Sequence, residues 1–178
     1  MQKRVRLSRF DRELDGNLLW EAYNDDSNAE FFRRMPCGMT KPQVLDLENT
    51  TGSQIFTVLW DENPVGFSIV TNFDAFSLTV QIGLLLFPEY RDKIVEDCKI
   101  AFWALFRLCK QLFDKTNIRK ISVKFLKSRT DLEKSLVIGG FKKEGDFKES
   151  TYCYGQFQDE LEYALYKTNL IEPSKPIS

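Results

Sequence analysis

"VQIGLLLFPEYRDKIVED", residues 80–97, decides the fold, because within it an apolar strand-like run passes directly into a helix-like run. The run over residues 76–87 begins by alternating and ends continuously apolar, which predicts a strand that enters the interior of a sheet. Apolar side chains then recur at helical spacing over residues 90–114, which predicts a long helix covered on more than one side. A strand followed by a helix start presents unpaired backbone N–H groups, and these favour a phosphate.

The loop inside this stretch lacks the residue that phosphate loops normally use. Glycine is preferred where a phosphate approaches the backbone closely, because a Cβ atom would intervene. No glycine occurs between Phe87 and Asp97. Two interpretations remain open: a cofactor site that works without glycine, or the remnant of a site that no longer binds its ligand.

The patterns on either side of this stretch predict the remaining elements. Strands are predicted over residues 4–10, 53–60, 64–73 and 118–126, and helices over 11–24, 28–34, 40–49 and 128–140. Three closing strands are predicted at "FKKEGDFKES", "TYCYGQF" and "ELEYALYK". This order predicts one α+β domain over residues 1–168, built around a mostly antiparallel sheet, with a mobile tail over residues 169–178.

Composition limits the classes of function. The 25 basic and 26 acidic side chains are nearly balanced, which argues against nucleic-acid binding, since that needs a basic surface. The chain has no histidine, which excludes Ser-His and Cys-His nucleophile pairs. Its 4 cysteines form no CxxC pair, so we expect no metal site and reduced core cysteines. No apolar run reaches membrane-spanning length, and the first 12 residues are too charged for a signal peptide, so a cytoplasmic location is expected.

The element order and several short motifs resemble the GCN5-related N-acetyltransferases (GNAT), and most closely the branch that acetylates N-terminal amino groups of ribosomal proteins. The matching positions follow the family's order with similar spacing: Gly83, Pro88, Arg91, Gly140-Phe141, Glu144-Gly145, and Gly155 through Asp159. The resemblance covers most of the chain and is weakest over residues 36–55. It implies a GNAT-like fold, in which a mostly antiparallel mixed sheet is splayed between two central strands and flanked by helices.

The resemblance also implies a cofactor, acetyl-CoA, in the gap between the strands at 76–87 and 118–126. Backbone N–H groups near Leu84–Leu86 would pair with the pantetheine arm and polarise the thioester, and the pyrophosphate would sit on the helix start. Arg129 stands where the family often has an Asn that contacts the cofactor arm. The implied cofactor-binding residues are Leu84, Leu85, Leu86, Arg91, Asp92, Lys93, Ile94, Val95, Glu96 and Arg129.

The loop departs from the family pattern and is degenerate. Asp92 and Ile94 occupy the usual glycine positions, and Glu96 occupies a position that is usually glycine or alanine. Acids in the first turn of a helix stabilise the helix dipole themselves. We therefore expect Asp92 and Glu96 to have replaced the anionic ligand, although Arg91 and Lys93 add positive charge.

The positions that would carry acid–base chemistry are altered as well. Leu136 stands where many members have a Tyr that protonates the leaving thiolate, and Gln81 stands where members often have a glutamate base. An amide cannot accept a proton in that role. Glu89 and Tyr90 are the remaining candidates near the strand end, and no catalytic residue is assigned.

Two hypotheses follow. In the first, the chain is an acetyl-CoA-dependent N-acyltransferase that acts on an amine of a protein or small molecule, largely by positioning and carbonyl polarisation. In the second, it is a catalytically inactive GNAT-like module that serves as a binding or structural component of an oligomer or a larger assembly, such as a phage particle. A phage component would be virion-associated rather than cytoplasmic.

Overall fold

The computed structural model describes residues 5–32, 38–95 and 98–172. The strands, in chain order, are β1 (Val5–Arg9), β2 (Gln54–Trp60), β3 (Asn63–Asp74), β4 (Thr79–Leu86), β5 (Ile94–Val95), β6 (Cys98–Lys99), β7 (Lys120–Leu126), β8 (Lys142–Cys153) and β9 (Gln156–Tyr166). The helices are α1 (Gly16–Asn24), α2 (Ala29–Phe32), α3 (Lys41–Leu45), α4 (Leu47–Thr51), α5 (Ile100–Lys115) and α6 (Thr130–Ile138). Single 3₁₀ turns lie at Asp26–Asn28, Pro88–Tyr90 and Lys167–Asn169.

Seven of these strands form one sheet in the order β1-β2-β3-β4-β7-β9-β8, and β5 pairs with β6 in a separate hairpin. Every neighbouring pair in the large sheet is antiparallel except β4 and β7, which run parallel. The predicted α+β class, with a mostly antiparallel mixed sheet and flanking helices, is confirmed.

The two central strands diverge as predicted. Backbone pairing of β4 with β7 runs from Thr79↔Lys120 to Ile82↔Val123 and stops there. β4 continues to Leu86 in unbroken register with β3, and β7 continues through the next three residues beside β9. The sheet is therefore paired across the first half of this seam and open across the second half.

Both faces of the sheet carry a core, and β4 lies at the centre of each. Leu84 and Leu86 belong to the cluster that contains the α5 side chains, whereas Leu85 belongs to the cluster of the α1–α4 side. All three are at most 8% exposed. Coverage from both sides explains why the end of this strand is continuously apolar rather than alternating.

The predicted start of the long helix is wrong. α5 begins at Ile100, because a 3₁₀ turn and the β5–β6 hairpin occupy the residues between β4 and the helix. Ile94 and Val95 are β-branched and pair with Lys99 and Cys98 of β6. Their apolar spacing continues the helical stripe, so periodicity alone could not locate the helix start.

Two long strands, rather than three, close the sheet. The predicted first closing strand and the start of the predicted second one form a single strand, β8, whose pairing with β9 shifts register between Phe147 and Thr151. The rest of the predicted second strand is the turn and the start of β9. The turn to β9 contains Gly155, whose φ of +77° is in the left-handed region that favours glycine. The sequence therefore indicated a strand break at a place where β8 continues through a local irregularity.

Parts of the predicted termini contact the domain. Leu170 packs against the α5-side core, Ile171 N–H donates to Gly139 O at 3.4 Å, and Glu172 pairs with Lys110 at 3.2 Å. Residues 173–178 of the predicted tail, Arg4 of the predicted first strand, and residues 33–34 of the predicted second helix lie outside the described residues. The domain boundary at 168 and the mobility of the tail stay predictions. Across the described ranges, no helix is long and apolar enough to span a membrane.

Candidate functional site

The inter-strand gap, which we define by Gly83–Leu86 of β4 and Lys124–Leu126 of β7, is the opening that the splayed seam leaves in the sheet. A cavity of about 70 Å³ lies in it, and residues from the turn before α2 complete its lining. Ligand pockets for molecules of drug size are several times larger.

Backbone groups of β4 face the inter-strand gap in a pattern set by strand alternation. Phe87 N–H donates to Val65 O of β3 at 3.0 Å. The N–H groups of Leu84 and Leu86 therefore point the other way, toward the gap, while the N–H of Leu85 faces β3. Two of the three predicted backbone positions thus offer an N–H group to the gap.

Glu30 of α2 extends into the inter-strand gap, and its side chain is almost fully buried. Its Oε1 accepts a hydrogen bond from Leu126 N–H at 2.9 Å, and its residue exposure is 7%. Lys127 N–H donates to Asp159 O of β9, so the preceding N–H, that of Leu126, faces the side from which β4 has diverged. The carboxylate of Glu30 supplies the acceptor that a paired strand would supply.

Arg129 also donates a hydrogen bond to the carboxylate of Glu30. Its Nη1 donates to Glu30 Oε2 at 3.2 Å, and its Nε and Nη2 donate to the two carboxylate oxygens of Asp131 at 3.0 Å each. Burial by itself lowers the pKa of Arg129, but the hydrogen bonds and negative charge of Asp131 and Glu30 outweigh it and raise that pKa. Burial likewise raises the pKa of Asp131, and the hydrogen bonds and charge of Arg129 outweigh it and lower that pKa.

Arg91 follows the 3₁₀ turn after β4, and its side chain links the end of β4 to the turn before α2. Its Nε donates to Leu86 O at 3.1 Å, and its Nη2 donates to Asn28 Oδ1 at 2.7 Å and Ser27 O at 3.3 Å. All of these acceptors are neutral. Arg91 lines the cavity, but it does not stand at the helix start where the sequence placed it.

The amino end of α5 is occupied by the chain itself. Ile100 N–H donates to Lys93 O at 3.0 Å, and Trp103 Nε1 donates to Val95 O at 2.9 Å. Asp92 pairs with Lys99 at 2.7 Å, and Ile94 is 68% exposed. The predicted phosphate-binding segment is therefore a turn and a hairpin rather than a helix start.

Glu96 of that predicted segment lies outside the described residues. Among the other positions singled out in the sequence, Leu136 is fully buried. Gln81 accepts a hydrogen bond from Asn72 at 2.7 Å in the paired half of the seam, away from the inter-strand gap. Tyr90 packs edge-on against Trp60. None of these three residues lines the gap cavity.

The basic run over residues 120–129 is neutralised by carboxylates. Its ion pairs are Lys120–Glu144 at 2.6 Å, Lys124–Glu160 at 3.0 Å, Lys127–Asp146 at 3.2 Å and Arg129–Asp131 at 3.0 Å. This pairing indicates a strand surface rather than a site for a phosphate or RNA. The described ranges also contain no cluster of three or more His, Cys, Asp or Glu side chains that could hold a metal ion.

These contacts test whether acetyl-CoA fits the residues present. The cavity in the inter-strand gap is several times smaller than pockets for ligands of drug size, and a pantetheine arm placed in it would meet the carboxylate of Glu30. The first N–H of α5 already donates to Lys93 O, so it is not offered to a pyrophosphate. In the arrangement described, the residues do not fit the cofactor, although the N–H groups of Leu84 and Leu86 are correctly directed.

Sequence reasoning missed Glu30 and Asp131, the two acids that hold Arg129. It placed a helix over 28–34 but gave Glu30 no role. The available signal was a lone acid between Ala29 and Phe31 in a short, otherwise apolar helix. A charged residue that is buried in such a helix must have a partner elsewhere in the fold. The sequence could not name that partner, because Arg129 is 99 positions away.

Comparisons with known proteins bear on the fold. No protein-family model matches this chain, and no curated protein matches it. Among solved structures, a spermidine N-acetyltransferase from Vibrio cholerae in complex with CoA and spermine is similar over 93% of this chain and 97% of its own, with a TM-score of 0.81 and 16% identity. A dodecameric form of the Vibrio cholerae spermidine N-acetyltransferase has a TM-score of 0.77 at 16% identity, covering 93% of this chain and 95% of that one. A probable acetyltransferase has a TM-score of 0.75 at 16% identity, with 93% and 94% covered. The chain therefore has the fold of the GCN5-related N-acetyltransferases.

Proposed function

We propose that this chain is a non-catalytic module with the GNAT fold, which serves as a binding or structural component of a larger assembly. The observation that carries the proposal is the hydrogen bond from Leu126 N–H to Glu30 Oε1 at 2.9 Å inside the inter-strand gap. It supports a gap in which the chain itself supplies the acceptor for the β7 backbone. Glu30 also forms an ion pair with Arg129 at 3.2 Å. Such a pair is costly to disrupt when it is buried, because removing one partner leaves the other charge uncompensated.

The segment before α5 supports the same proposal independently. An anion site at a helix start needs N–H groups that are not already paired. Here Lys93 O accepts from the first residue of α5, and Lys99, which precedes the helix, is paired with Asp92. Contacts within the chain therefore engage the first N–H of α5 as well as the β7 side of the inter-strand gap.

A titration with acetyl-CoA tests the proposal. We expect no change in the thermal unfolding midpoint of the wild-type chain at millimolar acetyl-CoA. The Vibrio cholerae spermidine N-acetyltransferase, whose structure was solved with CoA, is the positive control. A ligand at a hundredfold excess over its dissociation constant stabilises the folded state by about 2.7 kcal/mol, so a saturable rise of that size would overturn the proposal.

The second candidate is an acetyl-CoA-dependent N-acyltransferase that acts on an amine of a protein or small molecule. It is favoured by the N–H groups of Leu84 and Leu86, which face the gap, and by the likeness to spermidine N-acetyltransferases. It requires the side chain of Glu30 to leave the gap. The test is release of the free CoA thiol from acetyl-CoA in the presence of a panel of amines. Amine-dependent release by the wild-type chain would establish this candidate instead.

A further inference from the structure

A second concave surface lies at the opposite end of the sheet from the inter-strand gap. We name it the basal groove, and its residues come from the start of β4, the end of α5 and the end of β9. Its first part, about 480 Å³, lies beside the β3–β4 turn, and its second part, about 400 Å³, lies beside residues 166–168. Residues 116–118 line both parts, so the two parts adjoin.

The first part of the basal groove is lined mainly by apolar side chains, together with Gln54, Thr71, Thr116 and Asn117. Val70, Val80, Leu112 and Ile118 form its base, each between 3% and 8% exposed, and Phe73 stands at its rim with 62% of its surface exposed. Among the residues that the structure describes, no charged side chain lines this part. Its volume and chemistry suit an alkyl chain or a small ring system.

The second part of the basal groove is cationic. Arg119 Nε donates to Ser77 O at 3.2 Å, and Lys167 Nζ donates to Phe113 O at 2.7 Å. Among the described residues, neither cation has a carboxylate partner within ion-pair distance, whereas Lys110 on the same side of the domain pairs with both Asp114 and Glu172. The rest of this lining comprises hydroxyl and amide side chains with one apolar residue, and it contains no acid.

One acid beside this part is already paired. Glu144 accepts a hydrogen bond from Tyr166 OH at 3.4 Å, but it also pairs with Lys120 at 2.6 Å. Arg119 and Lys167 therefore present two cations without an ion-pair partner among the described residues, beside the first part of the groove. Lys and Arg bind carboxylate and phosphate oxygens through charge-assisted hydrogen bonds, which are the stronger kind.

We propose that the basal groove binds a small amphipathic anion, in which an apolar chain or ring adjoins a phosphate or carboxylate group. The apolar moiety lies in the first part, against Leu112 and Ile118, and the anionic group meets Arg119 and Lys167. The groove is separated from the inter-strand gap by the paired half of the seam, Thr79–Ile82 with Lys120–Val123. The inference therefore does not depend on whether the gap binds acetyl-CoA.

Isothermal titration with n-octyl phosphate below its micelle concentration tests the inference. Inorganic phosphate supplies the headgroup alone, n-octyl glucoside supplies a neutral head on the same chain, and octanoate distinguishes carboxylate from phosphate. We expect saturable binding of octyl phosphate or octanoate that is tighter than either control and that weakens as salt is added. Failure of both anions to bind, equal binding of the glucoside, or binding only to anionic lipid vesicles would overturn the proposal.

Three variants locate the binding. Arg119→Gln combined with Lys167→Gln removes both cations, and we expect affinity for octyl phosphate to fall about tenfold or more. Phe73→Ser alters an exposed rim residue and is expected to weaken binding by a smaller factor. Lys110→Gln removes a carboxylate-paired lysine as the matched control and should leave affinity unchanged. Circular dichroism checks that each variant is folded, and unchanged affinity in the folded double variant would contradict the assignment.

Discussion

The two halves of the β4–β7 seam are built from the same two strands, yet they are held together by different groups. From Thr79 to Ile82, β4 pairs with β7 backbone to backbone. Beyond Ile82, β4 no longer pairs with β7, and Leu126 N–H of β7 donates to the carboxylate of Glu30 instead. The paired half is thus held by backbone hydrogen bonds between strands, and the open half by a side chain from a separate helix.

This difference separates what the fold requires from what a site requires. The strands diverge where residues 84–86 are buried in the cores on both faces of the sheet. The gap between the strands is lined in part by polar side chains, among them the carboxylate of Glu30. A fold can therefore be retained while the chemistry that it supports in other proteins changes.

The paired half should be the more sensitive to truncation of its core. Ile121 has no exposed surface and lies in β7 opposite Val80. We expect Ile121→Ala to lower the free energy of unfolding by about 3 kcal/mol, through lost burial and the cavity left behind. Urea unfolding measures the loss, and Ile121→Val, expected to cost about 1 kcal/mol, is the matched control. A loss below that of the control would show that this half can rearrange freely.

The open half depends on Glu30, so its removal tests the comparison most directly. Glu30→Ala leaves the buried N–H of Leu126 without its acceptor, and we expect a loss of about 2 kcal/mol. Glu30→Gln keeps an amide oxygen for that N–H and should cost less. Hydrogen exchange at Leu126 is the specific measurement, because exchange should accelerate in the Ala variant. Unchanged exchange at Leu126 would show that Glu30 is not what holds this half.

The sequence predicted the half that obeys periodic rules and missed the half that does not. Alternating and continuous apolar patterns located the strands of the seam, and the divergence was implied by the resemblance to the GNAT family. The contact of Glu30 with Arg129 joins residues 99 positions apart, and no local pattern encodes a partner at that distance. The helix start was misplaced for a related reason, because Ile94 and Cys98 continue the helical spacing of α5 although they lie in a hairpin.

The ion pair between Arg129 and Asp131 stabilises the open half, and its contribution depends on pH because Asp131 can be protonated. The pKa of Asp131 is lowered in the folded protein, because Arg129 outweighs the opposing effect of burial. A lowered folded-state pKa means that the pair stabilises above the ordinary value of 3.8, and that this stabilisation is lost as pH falls through the lowered pKa. We expect Asp131→Asn to cost about 1 kcal/mol at pH 7.

Urea unfolding of both proteins across pH 7 to about 2 measures this dependence. The difference in free energy of unfolding should be constant at neutral pH and shrink toward zero in acid. A difference that grows as the pH falls would reverse the sign and exclude a charged Asp131 as the stabilising group.

The smallest effect is expected outside the seam, at the hairpin before α5. Ile94 is exposed and pairs with Lys99, so Ile94→Gly should cost only about 0.5 kcal/mol of stability. Glycine there does not release the first N–H of α5, which still donates to Lys93 O. We therefore expect no gain in acetyl-CoA binding in a thermal titration, with Ile94→Ala as the control for loss of the side chain. A sharp rise in affinity for the Gly variant alone would mean that the loop still has the conformation of a phosphate site and that only a side chain obstructs it. In that case the open half of the seam could still form the cofactor site, and only the side chain of Glu30 would occupy it.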